Sequence, residues 1–377
     1  MSLATPLPSS SLSASAAPGW LRRALTPLVE PETFDFWAGQ INRTWTWARP
    51  LARVVERHVE ALDTVTLVLQ PNRHVGGFLP GQHVNISAPV KGRRLTRSYS
   101  LTGIPHANRR LSITVKRVDG GALSTHLTEH VRVGDVLEVG PAFGEMTLPA
   151  QPEGRWLFLA AGSGITPLMG LTRALAARRM PVDLTLLYWA KTRAELCFLQ
   201  ELRALAERAP RFHLQVIVTH EASLLPGEAT GFIDIAQLQQ LVPHLDAQQV
   251  FACGPGGFVE AAREATQGHV ARFMAEGFTP AAPLALPSDA EARTVRVQLR
   301  RSGRELDIST GMTLLDALEA QGLNPPSGCR MGVCHTCSCP RLSGTTHDLH
   351  SGEIASETER AVRLCVSRAC SDLTLDL

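Results

Sequence analysis

Hydrophobic and polar positions change rhythm along the chain. From 51 to about 150, TVTLVLQ (64–70), HVNISAP (83–89) and LSITVKRV (111–118) alternate between apolar and polar residues, the period of a half-buried strand. LPGQ, VGD and VGPAFG punctuate them with turn residues. Such a series predicts a small antiparallel β-barrel. From 151 to about 280 the apolar runs become continuous. RWLFLAA, VDLTLLYWA, FHLQVIVTH and QQVFACG read as buried strands separated by helical stretches, predicting a parallel, doubly wound α/β sheet. A Pro/Ala-rich run at 279–292 predicts a linker over 281–292. Over 293–377 alternation returns in TVRVQLR and RELDI. A short amphipathic helix follows in TLLDALEAQG, with Thr313 as its candidate cap and Gly322 near its end.

Residues 1–50 fit neither rhythm. The first 20 are rich in Ser, Ala and Pro, which predicts a disordered tail, and they lack the basic and apolar regions of a signal peptide. Residues 20–50 hold four of the six tryptophans: Trp20, Trp37, Trp45 and Trp47. These rings either pack on the next domain or form a docking surface for a partner or a membrane face. A net charge of +2 makes no case for nucleic acid. No apolar run approaches the ~20 residues that span a bilayer. The expected location is cytoplasmic, where eight cysteines point to metal or catalysis more than to disulfides.

Four of those cysteines fall in GCRMGVCHTCSC (328–339). The x4 and x2 spacings of Cys329, Cys334 and Cys337, with one distant cysteine, are those of a plant-type [2Fe–2S] site. Cys365 and Cys370 compete for the distant place. Ser327, Gly328 and Gly332 suit a loop whose amides turn toward cluster sulfurs. Zinc held by Cys337 and Cys339 with His335, His347 or His350 is the alternative.

Other motifs suggest nucleotides. In RSYS (97–100), Arg97 can neutralise a flavin phosphate, Tyr99 offers a ring and a hydroxyl, and Ser100 can bond near the flavin N5. In VKRVDGGALSTHL (115–127), Gly120 and Gly121 allow close backbone approach. Ser124 is a candidate cap for a helix whose N-terminus would meet a pyrophosphate. AAGSGITPLMG (160–170) and FACGPGGFVEAA (251–262) are strand-to-helix turns expected at the carboxyl edge of the sheet. Cys253 in the second is equally readable as a buried core thiol. No catalytic triad or carboxylate pair stands out.

Taken in order, RSYS, GGALS, GSGITP, CGP and the cysteine cluster resemble the ferredoxin–NADP reductase superfamily, in its group with a C-terminal plant-type ferredoxin domain. The resemblance covers roughly residues 50–377. SGCRMGVCHTC, HDLHSGEI and the Trp-containing N-terminal segment resemble, more narrowly, bacterial reductases that serve fatty-acid (stearoyl-CoA-type) desaturases. The fold so implied is multidomain: an antiparallel β-barrel flavin domain (51–150), a doubly wound α/β nucleotide domain (151–280) and an α+β, β-grasp ferredoxin domain (293–377).

The resemblance also implies roles. Arg97, Ser98, Tyr99 and Ser100 would meet the flavin, with Val115, Lys116, Gly121 and Ser124 beside it. The pyrophosphate role of Gly121 and Ser124 makes the flavin FAD. Gly162, Gly164, Thr166, Cys253, Gly254 and Pro255 would meet the nicotinamide nucleotide, Ser100 and Cys253 lying near the reacting ring. Cys365 becomes the fourth cluster ligand. Electrons would pass from the nicotinamide through FAD and a [2Fe–2S] cluster to an acceptor protein, a membrane di-iron desaturase or else a hydroxylase or ring monooxygenase. A non-enzymatic redox-sensing module is the rival of another class. After the second nucleotide-domain strand, KTRAE places Lys191 and Arg193 where an adenosine ribose sits, and their charge favours the 2′-phosphate of NADPH, with some use of NADH.

Overall fold

The computed structural model describes residues 30–278 and 292–377, except 243, 329, 331, 333, 334, 350, 351 and 357–359. The expectations for the N-terminal tail, for most of the linker and for Cys329, Cys334 and His350 therefore lie outside the described residues. The first described element is a helix, α1 (Pro31–Ile41). Trp47 packs within its own segment and not on the next domain: it lies edge-on against Phe34 at 5.4 Å, and its amide donates to Asp35. Phe36, Trp37, Ile41 and Trp45 are each more than half exposed.

Six strands then form the expected antiparallel barrel: β1 (Leu51–Ala61), β2 (Thr64–Pro71), β3 (His83–Val90), β4 (Arg93–Ser100), β5 (Leu111–Lys116) and β6 (Val136–Phe143), in the order β4-β3-β6-β1-β2-β5. A bridge between Leu101 and Ile113 closes the two ends of that order onto each other. Inward residues such as Leu67, Leu69, Ile86 and Ile113 are fully buried. A short helix, α2 (Ala122–Thr125), runs into one π-helical turn (His126–His130), and its Leu123 and Leu127 join the barrel core.

The second sheet is wholly parallel: β7 (Arg155–Ala161), β8 (Asp183–Ala190), β9 (Phe212–Val218), β10 (Glu228–Ala229), β11 (Gln248–Gly254) and β12 (Arg272–Gly277), in the order β10-β9-β8-β7-β11-β12. Helices α3 (Ile165–Ala177) and α4 (Leu199–Arg208) cover one face. Helices α5 (Ile235–Leu241) and α6 (Gly256–Thr266) cover the other. Strand order reverses between β7 and β11, the switch point where such sheets bind ligands.

The loop after β8 is held against the barrel. Ala194 O accepts the Leu62 amide at 2.7 Å, Lys116 Nζ meets Glu195 at 2.5 Å, and the Phe198 amide donates to Glu60 Oε1 at 3.0 Å. Phe198 itself has φ +59.

The third unit has a mixed sheet, β14-β13-β20-β15-β18. Its strands are β13 (Thr294–Leu299), β14 (Arg304–Ser309), β15 (Ser338–Ser343), β18 (Arg360–Arg363) and β20 (Leu373–Leu375), with β13 and β20 parallel. A small sheet of β16 (Thr346–Asp348), β17 (Ile354–Ala355) and β19 (Ser367–Ala369) flanks it. Helix α7 (Leu314–Ala320) packs on the core through Leu314, Leu315 and Leu318. Thr313 caps it as the sequence predicts, accepting the Asp316 amide at 3.2 Å. No helix among the described residues is long and apolar enough to cross a membrane.

Candidate redox site

The carboxyl ends of β7 and β11 lie side by side, with Ala160 opposite Cys253. Gly162, after β7, has φ +55, and a Cβ there would meet nothing within 4 Å, so this backbone is open to a ligand. Gly164 is glycine for a different reason. A Cβ would stand 1.9 Å from the Cys253 carbonyl oxygen, so the turn packs directly on its neighbour. Gly254 and Pro255 start the matching turn into α6. Thr166 is buried and donates its hydroxyl to Ser163 O at 2.9 Å. Cys253 is fully buried with Sγ 3.5 Å from Met146 Sδ. Burial pushes its thiol well above the ordinary value, which keeps it protonated and unsuited to nucleophilic work.

Strand β4 carries RSYS. Ser100 is buried, and burial raises the Tyr99 phenol. Arg97 donates to Thr96 O at 2.8 Å. Burial, and after it the charge of Arg330, hold the Arg97 guanidinium below its usual value. Arg97 remains exposed to solvent, and Arg330 is paired with Glu319 and Asp316.

In GGALS the N-cap is Gly121. A Cβ on it would stand 2.6 Å from Ser124 Oγ. Ser124 does not cap the helix, contrary to the sequence expectation. It lies one turn in, where its hydroxyl accepts the Val118 amide at 3.1 Å and donates to Gly121 O at 3.0 Å. Its part is to close the turn, leaving the first-turn amides as the groups facing outward. Val115 points into the barrel core, and Lys116 is engaged by Glu195. Neither side chain is free for a cofactor.

Strand β3 touches both neighbouring units within three residues. His83 and Asn85 pair with Ser100 and Ser98 of β4. His83 Nε2 lies 3.0 Å from Glu276 Oε2 on β12. Asn85 accepts Ser98 Oγ at 2.6 Å and donates to Thr336 Oγ1 at 2.9 Å. Thr336 stands between Cys334 and Cys337 in sequence. The sequence reading gave no role to His83, Asn85 or Thr336. The polar face of HVNIS, with His83, Asn85 and Ser87 at every second position, was the available signal.

Cys337 and Cys365 are buried, with their Sγ atoms 3.3 Å apart. Cys339 is turned into the core beneath β15, where burial pushes its thiol up to about 11. Cys370 is exposed at the end of β19. Gly332 has φ +73, and a Cβ there would stand 2.9 Å from Val366, so this loop closes tightly over the strand end.

KTRAE needs a correction. Arg193 is bound by Glu228, whose side chain is 1% exposed, at 2.6 Å and by Glu221 at 2.9 Å. The ion pair holds Glu228 below and Arg193 above their ordinary values. This guanidinium is already neutralised, whereas Lys191 is exposed.

Three family matches divide the chain in the same way: an oxidoreductase FAD-binding domain at 52–147, an oxidoreductase NAD-binding domain at 158–264 and a 2Fe–2S iron–sulfur cluster binding domain at 297–370. A Mycobacterium tuberculosis protein named NADPH oxidoreductase is 34% identical over 96% of this chain and 93% of its own. The chain belongs to the ferredoxin–NADP reductase superfamily, in the group with a C-terminal [2Fe–2S] domain. This reductase is an NAD(P)H oxidoreductase with FAD, a pyridine nucleotide and a [2Fe–2S] cluster as cofactors. It is 29% identical to the glycine betaine monooxygenase reductase subunit of Pseudomonas aeruginosa, over 89% of this chain and 97% of the other. Its fold matches that of phthalate dioxygenase reductase with a TM-score of 0.57 at 24% identity, over 87% and 97% of the two chains.

The local chemistry of this reductase fits those groups. Arg97 presents an exposed guanidinium whose described hydrogen bond is to Thr96 O, which leaves its charge for a flavin phosphate. The Cys337 and Cys365 thiols are close enough to bind one metal centre.

Proposed function

We propose that this protein delivers electrons from NADPH to an oxygenase-type acceptor, with Arg97, Tyr99, Ser100, Gly121 and the first-turn amides of α2 holding FAD. On this reading Gly162, Gly254 and the end of β11 hold the nicotinamide nucleotide, and Cys329, Cys334, Cys337 and Cys365 hold the cluster. The observation that carries it is the position of β3. Its His83 faces the nucleotide sheet and its Asn85 faces the cysteine loop, so the strand beside RSYS lies between electron source and outlet. FAD supplies the exchange between a two-electron hydride and a one-electron cluster. The chain's own residues bind, orient and exclude water. Buried Ser100 offers a hydroxyl at the end of β4, and Cys253 with Met146 makes the floor apolar.

The acceptor proposed is a membrane-bound fatty-acid desaturase. The motif resemblance supports it, and so does the exposed aromatic face of Phe36, Trp37, Ile41 and Trp45, a composition suited to a membrane–water boundary. The likeness to a monooxygenase reductase subunit favours a second reading, a non-membrane oxygenase. Incubation with NADPH and a desaturase in membranes, scored as unsaturated product, tests the first. Removing residues 1–47 is expected to leave dye reduction intact and to weaken this coupling. If the truncated protein unfolds, the Phe34–Trp47 packing is the segment's role.

NADPH preference now rests on Lys191. Lys191→Ala is expected to raise the KM for NADPH several-fold with little change for NADH, because only the phosphate contact is lost. Arg193→Ala is expected to impair both, since it leaves buried Glu228 without its cation. Steady-state dye reduction with each cofactor separates them. A wild-type preference for NADH refutes the assignment.

A further inference from the structure

Asn85 sits at an irregularity. Along β3 and β6, Val84 pairs with Ala142 but Ile86 pairs with Val139. Gly140 and Pro141 both stand opposite Asn85. Such bulges bend a strand and re-aim a side chain. The geometry depends on Gly140, where a Cβ would press on Asn85 Cβ at 3.3 Å. The bulge turns the Asn85 amide so that its oxygen takes the Ser98 hydroxyl and its nitrogen reaches Thr336 across the interface. An amide suits this place because it accepts and donates at once. Close by, the charges of Arg97 on the barrel and of Arg330 and Glu319 in the third unit act on one another.

We infer that Asn85 is a positioning residue: the bulge-aimed amide clamps the CHTC loop onto the RSYS strand and fixes the separation across which flavin electrons reach the cluster. The inference rests on the proposed cofactor sites. A hydride would bring two electrons and the cluster would hold one, so the two would cross in separate one-electron transfers, the acceptor protein taking the first electron from the cluster before the second leaves the flavin. A barrel and a ferredoxin unit joined only by chain would sample many separations. A hydrogen bond between rigid strand and cysteine loop selects one.

The test uses the full-length holoprotein. Thr336→Val removes the hydroxyl at nearly constant volume, Thr336→Ser restores it, and Asn85→Ala breaks the same bond from the barrel side together with the Ser98 bond. FAD and iron are counted first. If wild-type protein binds neither, the cofactor reading fails and not the clamp. In loaded protein, NADPH reduction of the flavin, followed at its visible absorption, is expected to be unchanged. Reduction of the cluster is expected to slow about tenfold in Thr336→Val and Asn85→Ala, equivalent to about 1.4 kcal/mol, and to recover in Thr336→Ser. A second readout needs no turnover: amide hydrogen exchange at 335–338 and 84–86 should rise in the same two variants and return in Thr336→Ser. Should Thr336→Val lose iron, Asn85→Ala decides alone, because its change lies outside the cysteine loop. Wild-type cluster reduction together with wild-type exchange in Asn85→Ala overturns the inference.

Discussion

Cys337→Ser and Cys365→Ser are each expected to strip the protein of most of its iron and of its visible cluster absorption, while Cys339→Ser and Cys370→Ser retain both. The 3.3 Å approach of the first two thiols inside one core marks them as partners. Cys339 lies on β15 with its sulfur 3.5 Å from Pro340 O. It is Cys337, and not Cys339, whose sulfur meets that of Cys365. Cys370 competes for the distant place in sequence but ends exposed on β19. Electron delivery to cytochrome c should fall to background in the first pair, while NADPH oxidation by a small flavin-reactive dye continues. A full cluster in Cys365→Ser with loss in Cys370→Ser would reassign the fourth ligand.

Arg97→Ala is expected to weaken FAD binding by about tenfold or more, the loss of a charge-assisted contact worth roughly 1.5–3 kcal/mol. The apoprotein should respond differently. Arg97 is exposed and its described hydrogen bond is a local one to Thr96 O, so its removal costs the apoprotein no partner elsewhere in the fold. The expected signature is therefore weaker FAD retention with an apoprotein melting temperature equal to wild type. Fluorescence titration with FAD and thermal unfolding of the apo form measure the two. A collapsed apoprotein would give Arg97 a structural role. Release of FMN on heating wild-type protein would reject the pyrophosphate role of Gly121 and the α2 amides.

The architecture was legible because period-two and continuous apolar runs report directly which faces are buried. The barrel strands, the parallel sheet and the Thr313 cap all follow from that local code. Residues whose meaning depends on a distant partner were not legible. Arg193 reads as a phosphate ligand until Glu221 and Glu228 fold beside it. Lys116 looks available until Glu195 arrives from the loop after β8. Ser124 has the composition of a cap, but the boundary falls three residues earlier, and only backbone geometry shows that. Gly164 was placed at the nucleotide by the GSGITP resemblance, although the Cys253 carbonyl alone forbids a side chain there.

Phe198 bears on how freely these units can be exchanged between proteins. A left-handed conformation costs a non-glycine residue roughly 1–2 kcal/mol. Here it is maintained by a carboxylate belonging to the barrel, Glu60, on the Phe198 amide. The nucleotide domain thus borrows part of its loop geometry from the β1–β2 hairpin. A chimera that grafts this domain onto another flavin barrel would inherit the strained phenylalanine without its counterpart. The functional cut is better made so that residues 60–64 travel with the graft, or so that position 198 becomes glycine.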